Sequence, residues 1–299
     1  MPPIPAPRAS GFTTSTSVPL YWAEYGDPEA PAVLLLHGGP GASHDYLLPQ
    51  MLELARERRL VTYDQRGGGR SRPDDDRAPL GWREQVEDVE RVAVELAVAP
   101  LDIIGYSWGG LLAMLYAIEA AAGRIGTPPS SLALIDPAPV TRAHRETFER
   151  EFARRQAGPA VAALREELRQ SGLRERDPAA FRQRSFELSV AGYFVDPRRA
   201  RDLTPFRVTA RVQQSIWQSL GDYDILPALR TLELPALVVH GREDPIPLAS
   251  SDAAARALGT ECVVLHDCGH VPYVEQPTQL FPPLLAFLRE RSASTHPTG

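Results

Sequence analysis

Short apolar runs alternate along the chain with longer stretches in which apolar residues recur every three or four positions. Runs of about five Val, Leu, Ile and Ala residues are typical of strands buried on both faces of a parallel sheet, whereas the longer stretches are typical of amphipathic helices. Their alternation predicts an α/β fold with a mostly parallel sheet flanked by helices. The predicted strands are 18–25, 32–37, 59–64, 101–106, 131–136, 235–240 and 261–265, and the predicted helices are 45–57, 82–98, 108–122, 248–258 and 277–290.

The alternation stops between residues 137 and 226. This stretch is rich in arginine and glutamate and has helical periodicity, and no convincing buried strand interrupts it. We interpret it as a helical cap over the strand ends, inserted in a core formed by residues 1–136 and 227–299. Its charged runs predict solvated helix faces. The predicted cap helices are 141–156, 159–171, 177–190 and 205–220.

The composition excludes several classes of function. A formal net charge of −6 argues against nucleic acid or an anionic membrane as a partner. No run reaches about 18 apolar residues, and the start of the chain lacks the pattern of a secretory signal. The two cysteines, Cys262 and Cys268, have no metal-ligand spacing and are too few for a disulfide framework, so we expect a reduced, cytoplasmic protein.

A serine between two glycines is the most informative chemical signal in the chain. Residues 105–110 read Gly-Tyr-Ser-Trp-Gly-Gly, directly after the apolar run 101–104 and directly before the helical stretch 111–117. In a Gly-x-Ser-x-Gly pattern the sharp strand-to-helix turn exposes the serine at the carboxyl edge of the sheet, and the glycines let the backbone pass closely. The pattern therefore predicts Ser107 as a nucleophile, the alternative being a plain glycine-rich turn.

An activated serine needs a base. Among the seven histidines, His270 follows the short strand 263–265 in a loop that reads His-Asp-Cys-Gly-His. The glycine before His270 allows the loop to pack closely enough to bring the imidazole to Ser107. His270 is the predicted base, and His266, at the strand end, is the competing candidate.

The base needs a carboxylate that orients it, and this carboxylate precedes the histidine in chains of this order. Asp244 follows the strand 236–240 in the loop Gly-Arg-Glu-Asp-Pro. We predict that Asp244 accepts a hydrogen bond from His270, with Glu243 and Asp267 as alternatives. The structural alternative for Asp244 is a turn before proline.

The negative charge that develops on a substrate oxygen needs backbone N–H donors. Residues 37–41 read His-Gly-Gly-Pro-Gly directly after the strand 32–36. We predict Gly39 as one donor of this oxyanion hole, with Gly38 as an alternative, and the N–H of Trp108 as the other. The mechanism needs no cofactor, and no partner at ligand spacing supports a metal site at His37.

Five segments together resemble one known family. They are HGGPG at 37–41, DQRGGGRS at 64–71, GYSWGG at 105–110, GREDP at 241–245 and DCGH at 267–270. The chain is similar to α/β-hydrolases of the proline iminopeptidase type. The resemblance implies the α/β-hydrolase fold, a helical cap and the release of N-terminal residues from small peptides or amides. It also implies a structural role for Asp64, Gln65 and Arg66 beside the oxyanion loop.

One segment departs from that family. Proline iminopeptidases carry cap glutamates that hold the free amino group of the substrate, one of them in a segment like Glu-Asn-His-Tyr-Phe. The matching stretch here reads Val-Ala-Gly-Tyr-Phe, so Val190 stands in the place of that glutamate. An ammonium group in a closed pocket is costly without a carboxylate. Glu187, one helical turn earlier, is the candidate replacement, and Asp222 and Asp224 are further candidates.

Three functions remain open at this point. The first is a proline-iminopeptidase-like aminopeptidase, and the second is a carboxylesterase, lactonase or amidase acting on small uncharged acyl substrates. The third is a non-catalytic binding protein on the same fold. The partner in each case is a small molecule or short peptide. The candidate pocket aromatics, which otherwise belong to the core of the cap, are Tyr193, Phe194 and Trp217.

Overall fold

The carboxyl ends of six parallel strands meet at one edge of a sheet that has eight strands within residues 4–295, the part of the chain that the computed structural model describes. The strands are β1 (Ala9–Phe12), β2 (Tyr21–Tyr25), β3 (Ala32–Leu36), β4 (Arg59–Tyr63), β5 (Asp102–Tyr106), β6 (Ser131–Ile135), β7 (Ala236–Gly241) and β8 (Cys262–Leu265). Their order is β1-β2-β4-β3-β5-β6-β7-β8, with antiparallel pairing only at β1/β2 and β2/β4. The predicted mostly parallel α/β sheet is confirmed.

Strand β3 shows why its sequence is continuously apolar. All five of its residues are buried. Leu34 and Leu36 pack into the core on one face of the sheet, whereas Val33 and Leu35 pack into the core on the other. Because successive side chains of a strand point to opposite faces, a strand covered by helices on both sides needs apolar residues at every position.

The helices cover both faces of this sheet. In residues 4–295, no helix is long and apolar enough to cross a membrane. The α-helices are α1 (Trp82–Glu95), α2 (Trp108–Ala121), α3 (Arg142–Gln156), α4 (Pro159–Gln170), α5 (Leu173–Arg176), α6 (Pro178–Val190), α7 (Ala210–Leu220), α8 (Leu226–Leu229), α9 (Leu248–Ala257), α10 (Pro272–Glu275) and α11 (Pro277–Thr295).

One predicted helix is wrong in type. The stretch predicted as a helix over 45–57 forms two short 3₁₀-helices, His44–Leu47 and Gln50–Arg56. Pro49 lies between them and has no N–H, so it cannot donate the hydrogen bond to the carbonyl of Asp45 that a continuous α-helix requires.

Helices α3–α7 lie between β6 and β7, where the sequence predicts the cap. The chain leaves the core and returns to it at neighbouring positions. Thr141 and Asp224 form an isolated antiparallel bridge, flanked by hydrogen bonds from Arg142 N to Tyr223 O (2.9 Å) and from Ile225 N to Val140 O (3.1 Å). We call this pairing of 140–142 with 223–225 the neck. The predicted domain bounds stay a prediction, and residues 1–3 and 296–299 lie outside the described residues.

Candidate active site

Ser107 occupies the turn between β5 and α2. Its backbone has φ 53° and ψ −118°, a conformation that L-residues rarely adopt and that costs roughly 1–3 kcal/mol. Neighbouring backbone holds it there, because Ser107 N donates to Ile135 O (2.9 Å) and Ala138 N donates to Ser107 O (2.8 Å). Hydrogen bonds to β6 and to the segment after it therefore hold the strained backbone conformation of Ser107. The serine side chain is left partly exposed.

The glycines on either side of Ser107 are required by space. A Cβ on Gly105 would lie 2.5 Å from Gly109 O and 2.6 Å from the Cα of Gly110. A Cβ on Gly109 would overlap Leu36 O and lie 2.6 Å from the Leu36 carbonyl carbon. Real side chains do not approach backbone this closely, so the tight packing of α2 on β3 and β5 depends on both glycines.

Gly109→Ala is expected to lower the free energy of unfolding by more than about 3 kcal/mol, because backbone must move to admit the methyl group. Urea unfolding followed by circular dichroism measures the change. Gly123→Ala is the matched control, since Gly123 has φ +72° and no heavy atom within 4 Å of an added Cβ. The control should cost about 1 kcal/mol, from backbone strain alone, and equal losses in the two variants would contradict the steric argument.

Ser107, His270 and Asp244 form a continuous hydrogen-bonded chain. Ser107 Oγ lies 3.0 Å from His270 Nε2, and His270 Nδ1 lies 2.7 Å from Asp244 Oδ2. The other carboxylate oxygen of Asp244 accepts a hydrogen bond from Ile246 N (2.7 Å). Two hydrogen bonds fix the backbone of His270. Its N–H donates to Tyr193 O (2.8 Å), and its carbonyl accepts from the hydroxyl of Tyr106 (2.7 Å).

The competing candidates for the base and its orienting carboxylate are not part of this hydrogen-bonded series. His266 and Asp267 are exposed, and the backbone of His266 is hydrogen bonded to the Gln279 side chain. Glu243 Oε2 accepts from Cys268 N (2.9 Å), so its carboxylate fixes the loop that carries His270 without touching the imidazole.

Burial controls the charge of these groups. It lowers the pKa of His270 to about 4, which favours the neutral imidazole that a base requires. It raises the pKa of Asp244, because a carboxylate loses hydration in this space. A second buried carboxyl group, Asp136, lies beside Asp244, and sequence reasoning missed it. The available signal was its position directly after a buried strand.

The loop 37–41, which contains the predicted oxyanion donor Gly39, lies against Ser107. A Cβ on Gly38 would be 2.7 Å from the Cβ of Ser107 and 2.9 Å from the hydroxyl oxygen of Tyr46, so only glycine fits. Gly39, with φ +55°, lines the space in front of Ser107 together with Trp108. The structure thus brings the predicted donor residues to the serine.

Gln65 ties this loop to the turn that carries Ser107. It accepts a hydrogen bond from the Trp108 indole N–H (2.8 Å) and donates through its side chain to His37 O (2.7 Å). Its backbone N–H donates to His37 Nε2 (3.0 Å), so the ring proton sits on Nδ1, 2.8 Å from Gly38 O. His37 is therefore a buried structural side chain, and burial lowers its pKa to about 4.

Two chambers meet at Ser107. The wide chamber, of about 930 Å³, opens toward the charged face of α3, and the small chamber, of about 320 Å³, is lined mainly by aromatic and aliphatic side chains. The side chains and backbone that line both are Gly39, Ser107, Phe152, Tyr193, Gln213 and His270. The small chamber also contains Val190, Phe186 and Phe206, and among the described residues that line it none carries a carboxylate.

The predicted pocket residues divide between these chambers and the protein interior. Tyr193 lines both chambers and its ring centroid lies 4.9 Å from that of His270, while Trp217 lines the wide one. Phe194 lines neither, because it is 3% exposed and packs in the core.

The candidate amine-binding carboxylates lie away from the serine. Glu187 lines neither chamber, since its carboxylate pairs with Arg184 (2.6 Å) and faces a separate crevice. Asp222 and Asp224 line neither chamber, and Asp224 instead accepts a hydrogen bond from Leu226 N (2.9 Å).

Comparisons with known proteins agree with this fold. A model described as the alpha/beta hydrolase family matches residues 33–282. The chain is 26% identical over 266 residues to a proline iminopeptidase of Lactobacillus delbrueckii subsp. bulgaricus, covering 82% of this chain and 85% of that one. A proline iminopeptidase of Mycobacterium smegmatis superposes with a TM-score of 0.69 at 19% identity, over 96% of this chain and 100% of that one. The enol-lactonase of Burkholderia xenovorans LB400 superposes with a TM-score of 0.64 at 21% identity, over 93% and 100%.

Proposed function

The chain belongs to the alpha/beta hydrolase family, and from that premise we propose that it is a serine hydrolase that forms an acyl-enzyme on Ser107. The observation that carries the proposal is the hydrogen-bonded chain from Ser107 through His270 to Asp244. This arrangement supplies a nucleophile, a base and a group that orients the base, which is what acyl transfer requires.

The reaction follows from the positions of these groups. Ser107 Oγ attacks the substrate carbonyl carbon while His270 Nε2 takes the hydroxyl proton. Asp244 stabilises the imidazolium that forms. His270 then protonates the leaving group, and water, activated by the same histidine, releases the acyl group and restores the free serine. The proposed scheme uses neither a metal nor a cofactor.

The proposed oxyanion donors are the backbone N–H groups of Gly39 and Trp108. The N-terminus of α2 adds its partial positive charge at the same place. Each donor is expected to contribute about 3 kcal/mol to stabilising the transition state.

The small chamber supports a compact, uncharged acyl group. Its volume of about 320 Å³ and its aromatic lining favour apolar substrates, and Val190 stands in its wall. A free ammonium group placed there would be buried without a counter-charge, which costs several kcal/mol. We therefore propose a carboxylic-ester or amide hydrolase for small uncharged acyl groups.

An aminopeptidase is the second candidate, and a specific observation favours it. Glu146 and Glu149 line the wide chamber, where a substrate amino group could reach them. Each already pairs with an arginine on the same helix, Glu146 with Arg142 (3.1 Å) and Glu149 with Arg145 (2.8 Å). The relatives named proline iminopeptidase support the same candidate. A cytoplasmic location stays a prediction.

Kinetics on a matched substrate panel separates these candidates. The purified enzyme is assayed on proline and alanine 4-nitroanilides and on 4-nitrophenyl esters of increasing acyl length. We expect ester cleavage with a maximum at short acyl chains and little cleavage of the free-amine anilides. A kcat/KM for proline anilide above that for the esters would replace the ester proposal with the aminopeptidase. No turnover of any substrate, and no labelling of Ser107 by an organophosphonate, would overturn both in favour of a binding protein.

Hydrolysis should continue at mildly acidic pH. His270 must be neutral to accept a proton, and burial lowers its pKa from the usual 6.5 to about 4, so the active form persists to lower pH. We expect kcat/KM to stay level from neutral pH down through 6.5 and to fall only below it. This ratio reports the free enzyme, and a midpoint above 6.5 would contradict the assignment of a buried base.

A further inference from the structure

Asp136 is a buried carboxyl group that the proposed reaction does not use. It follows β6 directly, is fully shielded from solvent and has a φ of 42°, which non-glycine residues rarely adopt. Its Oδ1 accepts a hydrogen bond from Gly241 N (2.7 Å). Its buried Oδ2 accepts no hydrogen bond from the residues that the structure describes. Yet Asp136, Asp244 and His240 each place an oxygen or ring nitrogen within 4.8 Å of the others.

His240 cannot supply the missing donor. Its Nε2 lies 3.1 Å from Ile246 O, an atom that only accepts, so the ring proton sits on Nε2. Burial lowers the pKa of His240 to about 3, so the ring carries no second proton. Its Nδ1 therefore accepts a hydrogen bond from the hydroxyl of Ser251 (2.9 Å). Nδ1 also lies 3.4 Å from Asp136 Oδ1, but it has no proton to donate to that oxygen.

Two carboxylates that are buried side by side cannot both be ionised. The hydrogen bonds decide which of them keeps the charge. Asp244 accepts two N–H groups, from Ile246 and His270, while Asp136 accepts one, from Gly241. The charge is better stabilised on Asp244, and burial beside Asp244 raises the pKa of Asp136 well above its usual value.

We propose that Asp136 is a positioning residue that keeps a proton and donates a hydrogen bond through Oδ2 to the carboxylate of Asp244. This donation gives the buried Oδ2 of Asp136 a partner and fixes Asp244 against His270. The pair then carries one negative charge, which is the charge needed beside an imidazolium. The inference rests on the proposed function, because it assigns Asp244 the orienting role.

Two substitutions test the proposal. Asp136→Ala removes the donor, and we expect kcat for the best ester to fall about 10- to 100-fold with little change in KM, because a loosened Asp244 misorients the base. In Asp136→Asn, the amide Nδ2–H replaces the carboxyl proton and its Oδ1 still accepts from Gly241, so kcat should recover to within about threefold of the wild type.

The acid limb of kcat/KM gives a readout that a merely structural role would not change. Replacing a protonated Asp136 by Asn changes no charge, so the midpoint should not move. Replacing an ionised Asp136 would remove a charge that raises the pKa of His270 and would move the midpoint down by about one unit. The titratable and charged groups around Asp136 and Asp244 are Tyr106, Arg155, Tyr193, His240, Cys262, Cys268, His270, Tyr273 and Glu275.

An infrared difference spectrum tests the proton without any turnover. The wild type minus Asp136→Asn at neutral pH should show the C=O stretch of a protonated carboxyl group. Absence of that band, a downward shift of the acid midpoint, or an Asp136→Ala variant with wild-type kcat would each overturn the inference. Failure of the proposed function is distinguishable, because the wild type itself would then show neither ester turnover nor organophosphonate labelling.

Discussion

Ser107→Ala is expected to lower kcat roughly a million-fold, because no other group takes the place of the attacking oxygen. The Oγ of Ser107 lies 3.0 Å from His270 Nε2, which receives its proton in the proposed reaction. Any turnover left in the variant would come from water in the wide chamber and from the oxyanion donors. The rate of ester hydrolysis, corrected for the uncatalysed rate, measures the effect.

The variant should keep the fold. Alanine has the same Cβ as serine, so the strain at φ 53° is the same in both proteins, and unfolding by urea should change little. Ser185→Ala is the matched control, since the Ser185 hydroxyl donates to Phe181 O (2.7 Å) on α6 and lines neither chamber. Wild-type activity in Ser107→Ala, or equal loss in the control, would refute Ser107 as the nucleophile.

Asp244→Asn is expected to lower kcat about 10³- to 10⁴-fold. The amide keeps the shape of the side chain but loses the charge that stabilises the His270 imidazolium, and its NH₂ group can turn toward Nδ1 and favour the wrong tautomer. KM should change little, because Asp244 lines neither chamber. Steady-state kinetics on the preferred ester checks the result.

Asp267→Asn provides the comparison for Asp244→Asn. Asp267 belongs to the loop that carries His270, but it is exposed and its φ of 52° suits asparagine. We expect wild-type kinetics from this variant. An unchanged rate in Asp244→Asn would transfer the orienting role to another carboxyl group, with Asp136 the first to examine.

The inner parallel strands, such as β3 and β6, were predictable because their burial on both faces leaves a nearly continuous apolar run. Strand β1 was not, because Ala9–Phe12 is short, contains Ser10 and Gly11, and exists through its pairing with β2 at the sheet edge. Helical periodicity over 45–57 was a real signal of an amphipathic segment. It did not reveal that Pro49 divides the segment into two 3₁₀-helices.

The hydrogen-bonded series of Ser107, His270 and Asp244 was predictable because each residue follows the end of a parallel strand. The topology of the sheet brings these strand ends to one edge. The pocket was harder, because a helix presents its side chains according to its rotation, which one sequence does not fix. Glu187 and Val190 lie about one turn apart on α6, yet only Val190 lines the small chamber. Asp136 was missed for another reason, since its importance depends on its distance from Asp244 across two strands.

The neck gives the protein a modular construction. All of the proposed reacting groups lie outside residues 140–225, whose ends meet at a single short bridge. A different helical segment can be inserted between those ends without a change in the strands of the sheet. Substrate specificity can therefore change with the inserted segment while the reacting groups stay the same. The graft must keep the hydrogen bonds that this segment makes to the core, among them Thr209 N to Gly41 O (2.9 Å) and Val195 N to Glu275 Oε1 (2.9 Å). The bond nearest the base runs from His270 N to Tyr193 O, so any replacement must present a carbonyl at that point to hold the base.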